Sequence, residues 1–371
     1  MNLLHVSKFY YPKVGGIEWV VRQVAEEMAT SGNTVRVLAA VTRGLGGNSS
    51  HNDVQISKAA SLGVALSVPL APTFPAHLRT ASRDADLVHY HLPDPLSVTS
   101  HVLAGSSRPK TVATYHNNIV RQARALKAYR PVLDRFLAST DRIIVTSPRL
   151  LDRSEFLAQY TEKCTVVPLG IDLDEYGEYS GPEFDLPVEG DRPVILFVGR
   201  LIYYKGIEYL IDAMADIEAD LLVVGEGDRR DALEERARDR GVEDKVSFLG
   251  YVSDDELHYC YDRADLFVLP SIATSEGFGI VQLEAMAYRT PVVNTDIASG
   301  VPWVSQDGET GRTVPPEDSA ALAEAIDELL ADPALRERYG ENARKRVEEH
   351  FTRDRMIERT RAVYADVLET E

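Results

Sequence analysis

Short runs of apolar and β-branched residues recur along the whole chain. Each is followed by a stretch of helical periodicity, and that alternation admits few folds. In the first half the runs fall at 3–6, 35–40, 87–90, 111–115, 143–146 and 165–167. In the second they fall at 194–198, 221–224, 246–249, 266–269 and 291–294. Nearly continuous apolar strands separated by helices belong to parallel sheets covered on both faces. The segment 18–31 is typical of the intervening helices: Val20, Val21, Val24 and Met28 share one face, and Gly32 follows as a stop signal. A chain of 371 residues exceeds one ordinary core. The acidic stretch 170–191, dotted with Gly and Pro, is the predicted linker. The expectation is two doubly wound α/β domains of Rossmann-like type, 1–170 and 171–351. The stretch 347–368 reads as two helices or one broken near Thr352, and the helix over 352–371 is expected to pack back on the first domain.

Hydrophobic residues at 44% and aromatics at 8% exclude wholesale disorder. No apolar run approaches the ~20 residues that span a bilayer. Residues 1–8 read as a short strand rather than a leader. Cys164 and Cys260 fit neither a metal spacing nor a disulfide framework, so a reducing, cytoplasmic setting is expected. The net charge of −18 is unevenly spread. Residues 1–170 hold 19 Lys and Arg against 12 Asp and Glu, a balance of +7, and residues 171–371 hold 21 against 46, a balance of −25. Such a split points to an anionic partner for the first half. Scarce Lys beside abundant acid is consistent with a salt-adapted surface.

In doubly wound sheets ligands collect outside the carboxyl ends of the strands, so motifs at those ends carry the most weight. Gly15-Gly16 follows the first strand and opens a helix, where backbone amides can approach a phosphate. A tight strand-to-helix turn is the plainer reading of the same pair. Gly199-Arg200 through Lys205-Gly206 follows the first strand of the second half. Arg200 and Lys205 are placed there to grip a diphosphate, one as a planar fork and one as a point charge. After the strand 266–269 comes Glu276-Gly277-Phe278-Gly279-Ile280, with Glu284 about two helical turns further on. The amides of this loop offer a second phosphate seat. Glu276 and Glu284 can accept hydrogen bonds from sugar and ribose hydroxyls. Apolar Leu283, Ala285 and Met286 around Glu284 mean that its carboxylate needs a partner.

His116 ends the run 111–115 and is the better functional candidate among the strand-end histidines. His89 and His91 share one face by alternation, and a satisfied structural role is expected for His89. Neither a carboxylate nor a cysteine stands at metal spacing from these histidines, so no metal site is expected. Asp84-Ala85-Asp86 and Asp172-Leu173-Asp174 read as surface or capping carboxylates. The segment 119–137 carries Arg121, Arg124, Lys127, Arg130 and Arg135 against Asp134 alone, interleaved with Val120, Leu126, Val132, Leu133 and Phe136. A solvated helix face is the plainer reading. A cationic amphipathic helix on anionic lipid is the one that fits the basic half.

Taken together these residues resemble the retaining glycosyltransferases of the GT-B fold that carry a Glu-x7-Glu motif. The order of the Gly-Gly loop, the strand-end His116, Leu169-Gly170-Ile171-Asp172, Gly199-Arg200 to Lys205-Gly206, Gly225-Glu226-Gly227 and Glu276 to Glu284 runs along nearly the whole chain. His89-Tyr90-His91-Leu92-Pro93, Ile119-Val120-Arg121-Gln122 and Ser299-Gly300-Val301-Pro302-Trp303-Val304 are similar to enzymes of surface polysaccharide assembly, mannosyl and rhamnosyl transferases above all. The resemblance implies two domains facing across a cleft and retention at the anomeric carbon, with neither a metal nor another cofactor. It implies a nucleotide-diphosphate sugar as donor, mannose-like by preference, and a glycan acceptor, while the +7 balance of residues 1–170 and its concentration in 119–137 point to docking at the inner face of the cell membrane and to a lipid-linked acceptor such as a polyprenyl-linked sugar. By residue, it implies Gly16 near the donor diphosphate, His116 near the transferred sugar, Arg200 and Lys205 on the diphosphate, Glu276 on sugar hydroxyls and Glu284 on the ribose. Tyr288-Arg289 and Asn118 depart from the residues usual at those points. A nucleotide-sugar epimerase, a phosphorylase and a non-catalytic binding subunit share the architecture. The first two lack their acid/base set or cofactor lysine here, and the third leaves the complete set of charged residues unexplained. A nucleic-acid partner is not expected, because the basic segment lacks interleaved exposed aromatics.

Overall fold

The computed structural model describes residues 1–13, 15–104, 109–118 and 123–370. The chain divides into two compact units, one of residues 1–168 with 355–371 and one of residues 169–354.

Among the described residues the first unit is built on an eight-stranded sheet. Its strands are β1 (Asn2–Val6), β2 (Thr34–Ala40), β3 (Gly47–His51), β4 (Val54–Ala59), β7 (Leu87–Leu92), β8 (Lys110–Tyr115), β9 (Arg142–Val145) and β10 (Cys164–Val166), with a two-residue ribbon of β5 (Val64–Ala65) and β6 (Val68–Pro69) beside it. The spatial order is β10-β9-β8-β7-β1-β2-β4-β3. Every pairing is parallel except β3 with β4. The order reverses between β1 and β7, so the chain leaves these two strands in opposite directions across the sheet. Helix α1 (Gly16–Thr30) buries Val20, Val21, Val24, Ala25, Met28 and Ala29, the apolar stripe read from the sequence, and Gly32 follows with φ 81°. Helices α2 (Phe74–Ala81), α3 (Pro95–Ala104), α4 (Ala123–Ser139) and α5 (Pro148–Arg153) complete the layers.

The strands β3 and β4 are absent from the sequence-based expectation. β3 reads Gly-Asn-Ser-Ser-His and is almost wholly exposed at the sheet edge, so it offers no apolar run. The connecting Asn52 and Asp53 have φ of 45° and 61°, the left-handed pair that closes a tight hairpin. β4 alternates buried Val54, Ile56 and Ala59 with more accessible residues.

The second unit has a six-stranded, wholly parallel sheet of β11 (Val194–Val198), β12 (Asp220–Val224), β13 (Val246–Gly250), β14 (Leu266–Leu269), β15 (Val292–Thr295) and β16 (Gly311–Val314). Its order, β13-β12-β11-β14-β15-β16, reverses between β11 and β14, the arrangement of dinucleotide-binding sheets. All residues of β11, β12 and β14 are buried, as the apolar runs 194–198, 221–224 and 266–269 within them require. Helices α6 (Ile207–Ala213), α7 (Arg230–Arg240), α8 (Asp254–Arg263), α9 (Val281–Ala287), α10 (Val301–Val304), α11 (Ser319–Ala331) and α12 (Pro333–His350) connect the strands and cover them.

The two sequence ends of this unit meet. Ile171 N–H donates to Phe351 O at 2.9 Å and Arg353 N–H to Ile171 O at 2.7 Å, while Arg353 also pairs with Asp172 at 2.7 Å. The terminal helical stretch breaks at Phe351-Thr352, and α13 (Arg353–Glu369) belongs to the first unit from Arg355 onward. It buries Met356, Ile357, Thr360, Val363, Tyr364 and Val367. The Asp-x-Asp carboxylates have local work: Asp86 accepts from Asn2 N–H at 2.7 Å, and Asp172 from Asp174 N–H at 3.0 Å.

Candidate functional site

In the second unit the predicted residues gather at the carboxyl ends of β11 and β14, on either side of the reversal in strand order. The chain leaves β11 through Gly199-Arg200 and makes a short 3-10 turn, Tyr203–Lys205, before α6. Beside it, Gly225 after β12 has φ 126°, and a Cβ there would lie 2.1 Å from Gly199 O, so two strand ends pack backbone against backbone. Arg200 is exposed, and its charge lies near the Tyr204 hydroxyl. Lys205 is 7% exposed, an extreme burial for an ammonium group, which needs a partner there.

That partner is Glu276 on the loop after β14, whose Oε2 lies 2.6 Å from Lys205 Nζ and also accepts from Ser271 Oγ at 3.4 Å. An ammonium carries three N–H donors and a carboxylate two oxygens, so the pair leaves donor and acceptor capacity on both sides. The loop continues through Gly277, Phe278, Gly279 and Ile280 into α9. Gly279 has φ 70°, and a Cβ would strike Leu269 Cδ2 and Gln282 Nε2 at 2.6 and 2.8 Å, so only glycine fits. Gln282 is wholly buried: its Nε2 donates to Phe278 O at 3.2 Å, and its Oε1 accepts from Asn294 at 2.9 Å. This network pins the loop to β15. The ring of Phe278 packs against Trp303 and Phe351, so what this residue offers a ligand is backbone.

Glu284, two turns along, accepts from Tyr261 Oη at 2.6 Å. Burial pushes its carboxyl up to about 6, while the Tyr261 hydroxyl and the nearby Lys205 charge hold it from rising further. The residue keeps part of its surface accessible, and the surrounding protein excludes most water from the carboxyl itself. Tyr261 was not legible as a site residue, since nothing in its spacing on α8 sets it apart from a core tyrosine.

In the first unit Gly15 and Gly16 open α1 after β1. Gly15 is extended, with φ −177°, and a Cβ built on Gly16 would meet nothing within 4 Å. The fold therefore leaves open space at Gly16 that the backbone does not demand. His116 follows β8 and is buried, with its Nε2 3.2 Å from His91 Nδ1. His91 Nε2 in turn lies 3.1 Å from His5 Nδ1. His89 bonds Tyr364 Oη through Nδ1 at 2.6 Å and Thr114 Oγ1 through Nε2 at 2.7 Å, a satisfied structural role. Ligand atoms of His5, His89 and His91 lie within 4.8 Å of one another, a spacing that would suit a metal. Both nitrogens of His89 and of His91 are nevertheless occupied by protein partners.

The basic segment 119–137 corrects one expectation. Its apolar residues Leu133 and Phe136 are 2% and 0% exposed and belong to the core of the unit, so they are not available to enter lipid. Arg130 is bound to Asp134 at 3.2 Å and lies over the Phe156 ring. Lys127 and Arg135 are exposed. Ile119, Val120, Arg121 and Gln122 lie outside the described residues, as do the side chains of Arg124 and Leu126.

Residues 14–175 match the family model Glycosyltransferase Family 4, and residues 183–346 match Glycosyl transferases group 1. The chain is 33% identical to O-antigen chain mannosyltransferase C of Escherichia coli, over 100% of both proteins. It is 36% identical to D-rhamnosyltransferase WbpZ of Pseudomonas aeruginosa, over 95% of this chain and 92% of that one. Among solved structures, sucrose-phosphate synthase from Thermosynechococcus elongatus superposes with a TM-score of 0.83 at 25% identity, over 100% of both chains. The strand orders, the charged residues at the β11 and β14 ends and these full-length similarities agree: the chain belongs to the family 4 and group 1 glycosyltransferases of GT-B fold.

Proposed function

We propose that the protein transfers a mannose-like hexose, with retention, from a nucleoside-diphosphate sugar to a glycan or polyprenyl-linked acceptor of surface polysaccharide assembly, without a metal. The observation that carries this reading is the Lys205–Glu276 contact, with Arg200 beside it, at the reversal of strand order in the second unit. The mannosyl and rhamnosyl transferases among the relatives support the choice of sugar and of pathway class.

In this reading Arg200, Lys205 and the amides of Gly277, Phe278, Gly279 and Ile280 take the donor diphosphate and neutralise the charge that grows on it as the glycosidic bond breaks. Amides ahead of the first helical turn lack intrahelical acceptors and are suited to anionic oxygens. Glu276, fixed by Lys205, accepts from hydroxyls of the transferred sugar, and Glu284, fixed by Tyr261, accepts from the ribose. From the first unit, Gly15 and Gly16 serve the donor phosphates and His116 the transferred sugar. The leaving diphosphate itself takes the acceptor proton, so no separate base is required. Attachment to an anionic membrane, kept as part of this reading, is electrostatic and draws on the exposed Lys127 and Arg135.

Three expectations follow from these assignments. Arg200→Ala and Lys205→Met should each weaken nucleoside-diphosphate binding by about 1.5–3 kcal/mol, the scale of a hydrogen bond to a charged group. Titration calorimetry measures it, and unchanged affinity in both variants removes the diphosphate assignment. Glu284 holds its proton more tightly folded than unfolded, so its contribution favours the fold at low pH and is lost as pH rises through about 6. The same protonation should weaken nucleotide binding as pH falls through about 6. Because the nucleotide's own titration is common to both proteins, the difference between wild type and Glu284→Gln isolates the carboxyl. Parallel pH profiles of affinity would remove Glu284 from the ribose. Sedimentation with anionic vesicles should be detectable at low salt and lost at high salt, since each basic residue near the surface contributes about 1 kcal/mol. Salt-independent binding, or equal binding to neutral vesicles, would contradict an electrostatic contact.

A further inference from the structure

Parallel pairing brings five polar side chains to one face of the first sheet. His5 on β1 stands opposite His89 on β7, and His91 stands opposite Thr114 on β8. Alternation puts His89 with His91, and Thr114 with His116, on that same face. Helix α13 contributes Tyr364, which binds His89. All four histidines are buried, and burial holds each one below its ordinary value: His5 near 4, His116 near 3, His89 and His91 well below. The other imidazoles are the neighbouring charges that would oppose a proton, and none of these shifts has a carboxylate among its causes. The four rings are therefore neutral at neutral pH, and each carries one N–H.

Neutral rings in a chain must all point their hydrogens the same way. The contacts His5 Nδ1 to His91 Nε2, 3.1 Å, and His91 Nδ1 to His116 Nε2, 3.2 Å, form such a chain, with ring planes inclined by only 22° and 16°. Two senses are possible. If hydrogens point from His116 toward His5, the last N–H sits on His5 Nε2, a buried atom with no hydrogen-bond partner among the described residues. If they point from His5 toward His116, that atom is a bare lone pair instead. Buried N–H groups without an acceptor are rarer than under-used acceptors, because their single hydrogen has no alternative partner. The second sense leaves His116 with its Nε2 filled by the His91 hydrogen and its own hydrogen on Nδ1.

We propose that His5 and His91 are positioning residues that lock His116 as a neutral Nδ1–H donor. This deepens the reading above, on which it rests for the contact between His116 and the transferred sugar. His116 then offers that sugar a hydrogen bond from Nδ1 and cannot serve as a base through Nε2. Specificity follows from the same lock: the group recognised at His116 must be an acceptor, a hydroxyl or ring oxygen, rather than an obligatory donor.

The test is a long-range nitrogen–proton correlation spectrum of the protein with isotope-labelled histidine side chains, assigned with single histidine variants. His5, His91 and His116 should each show a protonated Nδ1 and a bare Nε2. A protonated Nε2 on His116 overturns the proposal. In His91→Leu nothing fills His116 Nε2, so the hydrogen is no longer fixed at Nδ1 and the His116 signals should shift toward a mixture of the two tautomers. Turnover should fall about tenfold, the scale of one weakened hydrogen bond, while KM for the donor stays within about twofold. A folded His91→Leu with unchanged turnover also overturns it. If that variant does not fold, the wild-type spectrum decides alone. His116→Ala separates the two layers. Unchanged turnover there defeats the sugar contact whatever the tautomer, whereas lost turnover with Nε2–H on wild-type His116 defeats the lock and spares the contact.

Discussion

A lysine ammonium and a glutamate carboxylate, 2.6 Å apart and each about one-tenth exposed, join the ends of β11 and β14 where the strand order of the second sheet reverses. Two charges in so little water are tolerated only because each is the other's partner. Removing one leaves the other stranded, at a cost of about 3–5 kcal/mol. The pair therefore fixes two loops at once, one following each strand. Around it the backbone is constrained as tightly: Gly225 lies against Gly199, Gly279 against Leu269, and Gln282 binds the loop carbonyl of Phe278. A ligand meeting this edge finds cations, carboxylates and amides already oriented, which is what stabilisation of a leaving diphosphate demands.

The two carboxylates of the Glu-x7-Glu motif are held differently, and that difference separates their chemistry. Glu276 faces the Lys205 ammonium at 2.6 Å. Glu284 faces the Tyr261 hydroxyl in a drier pocket, and its raised proton affinity makes it sensitive to mild acid. The first unit adds another device, a chain of buried imidazoles. An uncharged chain transmits a hydrogen-bond direction without the desolvation penalty of a buried charge.

Much of this was legible in the sequence, because the information lay in periodicity and in residue type at strand ends. The strands β11, β12 and β14 announce themselves as unbroken apolar runs, and Arg200, Lys205, Glu276 and Glu284 follow directly from their ends. What stayed hidden depended on contacts between distant segments. The partner of Glu284 is Tyr261, twenty-three residues away on another helix. His5 joins the histidine chain only through the register of β1 on β7. The edge strand β3 is polar and exposed, so it carries no hydrophobic signal at all. In the segment 119–137 the sequence shows an apolar face but not what covers it, and Leu133 and Phe136 pack into the core of their own unit.

The chemistry of this protein turns on where the donor diphosphate sits. A crystal structure of the protein bound to a nucleoside diphosphate tests that directly. Phosphate oxygens should lie within about 2.7–3.2 Å of Lys205 Nζ and of amides in the 277–280 loop, with a ribose hydroxyl on Glu284. A diphosphate bound elsewhere, with the Lys205–Glu276 contact untouched and no phosphate oxygen near either residue, would contradict it.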